Sequence, residues 1–216
     1  MYTPKQFSVD DADAVAFLSN IDAADLVTMT DEGLLATFLP LLYMPGAGEL
    51  GALRGHLARK NDQWQRACIG EALVIAHGED AYVHPGWYPS KAEHGRVVPT
   101  WNYTTAHVYG ELVIHDDSAW VDENVRLLTS RQEHVRAEPW SVDDAPAPFR
   151  EGQLRAIVGV EIRISRIEAK FKMSQNQKSE NIDGVVAGLT GDGRGDVAET
   201  VQRLRPDRTP SRTPLR

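Results

Sequence analysis

Cysteine is almost missing from this chain of 216 residues: Cys68 stands alone. A single thiol cannot close an internal disulfide and brings no partner for a thiolate zinc site, so a reducing cytoplasm is the expected setting. The seven histidines lack His-Glu-x-x-His or comparable ligand spacing, and no metal is expected. No Gly-x-Ser-x-Gly elbow or P-loop occurs, which leaves hydrolase and NTPase chemistry without support. Nor does any stretch approach the roughly 18 apolar residues of a membrane span, and the opening MYTPKQFSVDDADAV has no basic segment leading into an apolar core. A protein of the cytoplasm, without membrane association, is expected. Cations are in the minority: 23 Lys and Arg face 31 Asp and Glu, a formal charge of −8. Such a surface repels phosphate backbones, and no helix-turn-helix or basic recognition helix is apparent, so direct DNA binding is disfavoured.

What is present suits one globular domain with a real core: 42% hydrophobic and 25% charged residues. Helical spacing of Val15, Leu18 and Ile21 behind acidic residues predicts a helix over 12–21. Apolar runs at 24–30 and 34–43 flank Asp31-Glu32-Gly33, the signature of a hairpin. Further strands are expected at 50–57, 72–78, 81–85, 100–114 and 160–168, the last alternating Val160, Ile162 and Ile164 with Glu161, Arg163 and Ser165. Helices are expected at 64–70, 116–133 and 149–158, with a proline-rich loop at 137–148. Many short strands without βαβ alternation argue for a mainly β fold, a closed antiparallel barrel with peripheral helices. The domain is expected over 1–190, with 191–216 as an extension whose end, RLRPDRTPSRTPLR, is basic, proline-rich and disordered.

Three clusters carry chemistry. Arg54-Gly55-His56-Leu57-Ala58-Arg59-Lys60-Asn61 gathers three cations and an imidazole at a strand end, a composition that suits a phosphate and equally a solvated turn. Tyr82-Val83-His84-Pro85-Gly86-Trp87-Tyr88-Pro89-Ser90-Lys91, followed by Val98-Pro99-Thr100-Trp101-Asn102-Tyr103, is dense in aromatics. It can stack a flat ligand or pack a loop on the barrel. Lys170-Phe171-Lys172-Met173-Ser174-Gln175-Asn176 ends a strand in polar groups that suit a polar ring edge or plain solvent.

RGHLARKN, YVHPGWYPSK, VPTWNY and KFKMSQN, in this order and spacing, together resemble the PaiB family, described as FMN-binding negative transcriptional regulators. The resemblance runs from MYTPKQF to about Gly188-Leu189. It implies an FMN-binding split barrel related to pyridoxamine-phosphate oxidase and flavin reductases, working as a homodimer with FMN between subunits. It also implies that Arg59 and Lys60, with Arg54, His56 and Asn61 nearby, grip the flavin phosphate. Trp101, Asn102 and Thr104 would supply polar contacts, with Trp87, Tyr88, Lys91, Lys172 and Gln175 as the remaining cofactor-binding candidates. Two segments depart from the family pattern: Thr37-Phe38-Leu39-Pro40, where a polar residue and a His usually precede LPLL, and His84-Pro85-Gly86, where Ser-Pro-Ser is common. The resemblance implies a regulatory role; an FMN-dependent oxidoreductase and a flavin- or haem-binding protein are the alternatives, since the barrel alone does not set function.

Overall fold

The computed structural model describes residues 1–206. Six strands carry the architecture: β1 (Ala23–Thr30), β2 (Gly33–Met44), β3 (Ala52–Ala58), β4 (Ala72–Val83), β5 (Thr100–His115) and β6 (Ile157–Lys172). They close into a barrel in the order β1-β2-β3-β6-β5-β4. Around them lie α1 (Asp11–Asn20), α2 (Ser90–His94), α3 (Ser118–Glu133), α4 (Ala147–Arg155), α5 (Ser179–Gly191) and α6 (Gly195–Arg203). The expected mainly β barrel with peripheral helices is the observed fold.

The β1–β2 hairpin has the predicted turn, with Thr30 paired to Gly33. Thr30 Oγ1 donates to the Gly33 carbonyl (2.9 Å) and accepts from Glu32 N–H (3.2 Å), while Gly33 takes φ 113°, a conformation that favours glycine. At the β2–β3 pairing Leu41 faces Gly55. A Cβ on Gly55 would sit 2.6 Å from the Pro40 carbonyl, so only glycine permits this approach.

Three expectations need correction. The strands expected at 72–78 and 81–85 are one strand, because the polar break between them is satisfied. Glu79 accepts from Thr104 Oγ1 (3.1 Å) and Thr200 Oγ1 (2.5 Å), and the Asp80 carbonyl accepts from Arg194. The helix expected at 64–70 is only a 3₁₀ turn at Asp62–Gln65. Gln63 is buried there and bonds Thr37, Thr28 and the Leu26 carbonyl, while Ile69 N–H returns to the Met29 carbonyl (2.7 Å). Those bonds draw the chain back to β1 before a helix can propagate. Glu161, expected on the polar face of β6, is buried like Val160 and Ile162, and its carboxylate is paired.

The chain divides into two compact units: one of 1–10, 77–105 and 169 onward, the other of 11–76 and 106–168. In the first, Val83, Tyr88, Met173, Ile182, Val185, Leu189, Val197 and Val201 form a buried cluster, with Trp87 and Leu204 packed against it. Residue 190 thus falls inside α5, and α6 lies beyond it with three members in this core. Leu204 also packs and Arg205 pairs with Asp183 (2.8 Å), so ordered structure continues past Arg203; the disorder expected for the rest of the tail lies outside the described residues.

Candidate functional site

The sequence-derived candidates fall in both units. Arg54, His56, Arg59, Lys60 and Asn61 belong to the second unit, and Trp87, Tyr88, Lys91, Trp101, Asn102, Thr104, Lys172 and Gln175 to the first.

In the second unit β3 pairs with β6, placing Arg54 opposite Glu161. Arg54 Nε donates to Glu161 Oε1 (2.8 Å) while its guanidinium lies 5.3 Å from the Trp120 ring centroid. His115 stacks on the same Trp120 ring, 4.0 Å between centroids and 3° between planes, and its Nε2 stands 3.4 Å from Glu161 Oε2. Burial pushes the Glu161 carboxyl up, but the hydrogen bond and charge of Arg54, aided by His115, hold it below the ordinary range. Arg54 is therefore committed to an internal network. His115, Trp120 and Glu161 were not candidates; they lie far from Arg54 in sequence and only the strand register joins them.

His56 sits beside an apolar cavity of about 240 Å³ lined by Val125, Val142, Phe149 and Leu154. Its Nδ1 is buried without a hydrogen-bond partner, and burial lowers its pKa, which keeps the ring neutral. Arg59 follows β3 directly. Its guanidinium forks onto both oxygens of Asp116 and also donates to the carbonyls of Arg155 (2.8 Å) and Ile157 (3.1 Å). The hydrogen bond from Arg59 holds Asp116 below the usual carboxylate range. Asn61 caps the following 3₁₀ turn through Gln63 N–H (3.0 Å) and donates to Thr37 Oγ1 (2.8 Å). Lys60 is exposed between these two held residues. A phosphate finds there one solvated cation, Lys60, next to Arg59, whose charge Asp116 already balances.

In the first unit the aromatic candidates divide. Tyr88 is only 4% exposed, and burial raises its pKa; Trp87 packs over Gly184 and Gly188 of α5, where any Cβ would collide with it. Both belong to the core rather than to an open stacking face. His84 makes an edge contact with Trp87, 6.0 Å between centroids, and its ring occupies the space of a Cβ at residue 86. The His84 and Gly86 departures from the family pattern are thus one packing unit. Trp101 is 54% exposed and meets Tyr82 in a T-shaped contact, and Lys91 is exposed. Thr104 is buried on Glu79. Gln175 closes the turn after β6, accepting from Met173 N–H (2.7 Å) and donating to the Phe171 carbonyl (2.6 Å).

Asn102 and Lys172 do come together, on the wall of a cavity of about 390 Å³. Lys172 Nζ donates to Thr100 Oγ1 (2.7 Å) and to the Trp101 carbonyl, and burial, then the charge of Lys170, lowers its pKa. Asn102 is fully buried; its Oδ1 accepts from Ser174 Oγ (3.1 Å), whereas its Nδ2 has no hydrogen-bond partner. Leaving such a donor unmet costs about 1–3 kcal/mol, a cost that a ligand acceptor would remove. Ser174, named in the sequence only within the 170–176 cluster, shares this wall with His94, Arg96 and Lys178, which sequence reading missed. Only Lys178, in a basic stretch with Lys170 and Lys172, carried a signal. Among the described residues, no group of three or more His, Cys, Asp or Glu side chains could hold a metal ion, and no helix is long and apolar enough to cross a membrane.

The family model described as "Putative FMN-binding domain" matches residues 1–166. The protease synthase and sporulation protein PAI 2 of Bacillus subtilis is 31% identical over 192 residues, 88% of this chain and 89% of that protein. An uncharacterised protein of Emericella nidulans is 35% identical over 168 residues, 64% of this chain and 66% of its own length. Among solved structures, the FAD and haem binding protein of Mycobacterium smegmatis superposes with a TM-score of 0.56 at 16% identity, covering 85% of this chain and 80% of that one. At that identity the likeness concerns the fold.

Proposed function

The chain belongs to the family described as a putative FMN-binding domain, the PaiB-type flavin-binding split barrels, and on that premise we propose that it binds FMN as a homodimer with the phosphate anchored at Arg59 and Lys60. The observation that carries this reading is the end of β3. The strand delivers two consecutive cations, Arg59 locked by Asp116 and two carbonyls, and Lys60 left open to solvent. A locked arginine has little left to lose in conformational freedom, and the adjacent free lysine supplies the charge that the anion meets first. Bound FMN would supply redox chemistry through its isoalloxazine ring, while the protein binds and orients it. The regulatory role implied by the resemblance then runs through flavin or a protein partner rather than through sequence-specific contact with DNA, as the charge of −8 favours.

Two measurements test this. The purified protein should take up FMN with the absorbance bands of oxidised flavin. Lys60→Ala should weaken FMN by about 1.5–3 kcal/mol while changing riboflavin little, because only FMN carries the phosphate. Equal losses for the two ligands would remove the phosphate role.

A further inference from the structure

The cavity in the first unit has a character at odds with the chain that holds it. Four cationic or titratable basic side chains, His94, Arg96, Lys172 and Lys178, stand on its wall and no carboxylate does, on a chain whose formal charge is −8. Its floor holds Asn102, whose buried Nδ2 donates to nothing. Asn102 is kept in that orientation by Ser174, which is buried and takes φ 65°, the one non-glycine residue with positive φ among those described. A non-glycine residue persists in that region only where its surroundings over-determine it, and such residues cluster at binding sites. Lys178, the N-cap residue of α5, and Asn181 in its first turn lie on the same wall, so the positive end of a 13-residue helix borders this space.

We propose that this cavity is a binding site for a small phosphate monoester, a second ligand in addition to the flavin. A phosphate dianion matches the wall in sign and in acceptor number. The phosphate oxygens face Lys172 and the outer pair Arg96 and Lys178, and a small shift of the buried Asn102 side chain lets its unmet amide donate to one of them. A volume of about 390 Å³ leaves room for a small organic group behind the phosphate. Asn102 and Lys172, which the family resemblance assigns to the flavin, then serve this second ligand.

The test is calorimetric titration of the full chain, with and without saturating FMN, using inorganic phosphate and glycerol 3-phosphate as probes and glycerate as a carboxylate of similar size. One phosphate site per chain is expected in both forms, glycerol 3-phosphate binding at least as tightly as inorganic phosphate and glycerate at least tenfold more weakly. Arg96→Ala should weaken the phosphate probes about fivefold, and Lys178→Glu, a charge reversal at an exposed position, by more than tenfold. Asn102→Asp should abolish binding; since that change is in the core, Lys178→Glu decides if the variant does not fold. Binding that disappears when FMN is loaded would give the cavity to the flavin and overturn the second site. Absence of phosphate binding, glycerate binding as tightly as glycerol 3-phosphate, or a Lys178→Glu variant that binds like wild type would each overturn it as well. Failure of the chain to take up FMN, seen in its absorbance, leaves the titration without FMN to decide.

Discussion

Trp87 illustrates how a single residue changes meaning once its neighbours are known. In the sequence it is one aromatic in a ligand-like cluster; in the structure its ring and carbonyl lie over two glycines four apart on α5. Gly188→Ala would drive a methyl group into the indole, and Gly184→Ala into the Trp87 carbonyl, which cannot swing aside as a side chain can. Each should destabilise by about 1–3 kcal/mol, with Gly184→Ala the worse, as read from denaturant midpoints. Glu161 makes a second prediction at this scale. Its folded pKa lies below the ordinary carboxylate value, so the stability it contributes is present above the unfolded pKa, about 4.3, and is lost as pH falls through the folded one. Stability measured from pH 6 downward should therefore fall more steeply for wild type than for Glu161→Gln, which is weaker at neutral pH because Arg54 loses its charged partner. Curves that stay parallel would show that the pair contributes nothing to acid sensitivity.

At the scale of elements, α6 is the instructive case. Short, glycine-led and followed by a basic tail, it reads as part of an extension, yet Val197, Ala198 and Val201 are buried against α5 and the end of β4. Thr200 ties it to Glu79 and Arg194 ties its start to Asp80. Ending the chain at residue 190 should cost at least about 3–6 kcal/mol from the two buried valines alone. A melting temperature unchanged by that truncation would show that α6 is only a passenger. Glu79 and Asp80 also explain why β4 was legible as two pieces. Acidic residues next to glycine are ordinary turn chemistry, and only partners supplied by β5 and α6 let them sit inside a strand.

For the whole molecule, the homodimer is the property with the clearest test. The resemblance implies it, and packing of Trp87 and Tyr88 into the core takes two aromatics of the 82–103 segment out of any face that copies could share. Val98, Trp101 and Tyr82 remain 73%, 54% and 45% exposed, and Leu34 and Phe38 of β2 are two-thirds exposed. Large apolar side chains exposed in this number, in each unit by itself, suit burial against a second copy more than solvent. Light scattering at micromolar concentration should give twice the chain mass of 23.9 kDa, and Trp101→Lys or Phe38→Lys should shift the equilibrium toward monomer. A monomer mass for wild type would defeat both the dimer and the proposed flavin site between copies.

By itself the sequence determined the barrel, the hairpin at Asp31-Glu32-Gly33 and the family, because alternating burial, turn chemistry and contiguous motifs are all local patterns that survive without coordinates. It also placed α3 to within two residues, from the acidic pair Asp116-Asp117 at its start, of which Asp117 is the cap. Tertiary structure alone decided which cations are held by carboxylates and which stand in solvent. Arg54 and Glu161 are 107 residues apart and Arg59 and Asp116 are 57 apart, so no local pattern reveals that these arginines are already paired. The cavity around Asn102 was equally hidden: its wall is drawn from α2 and the loop after it, β5, the turn after β6 and α5, segments that meet only when the chain has folded.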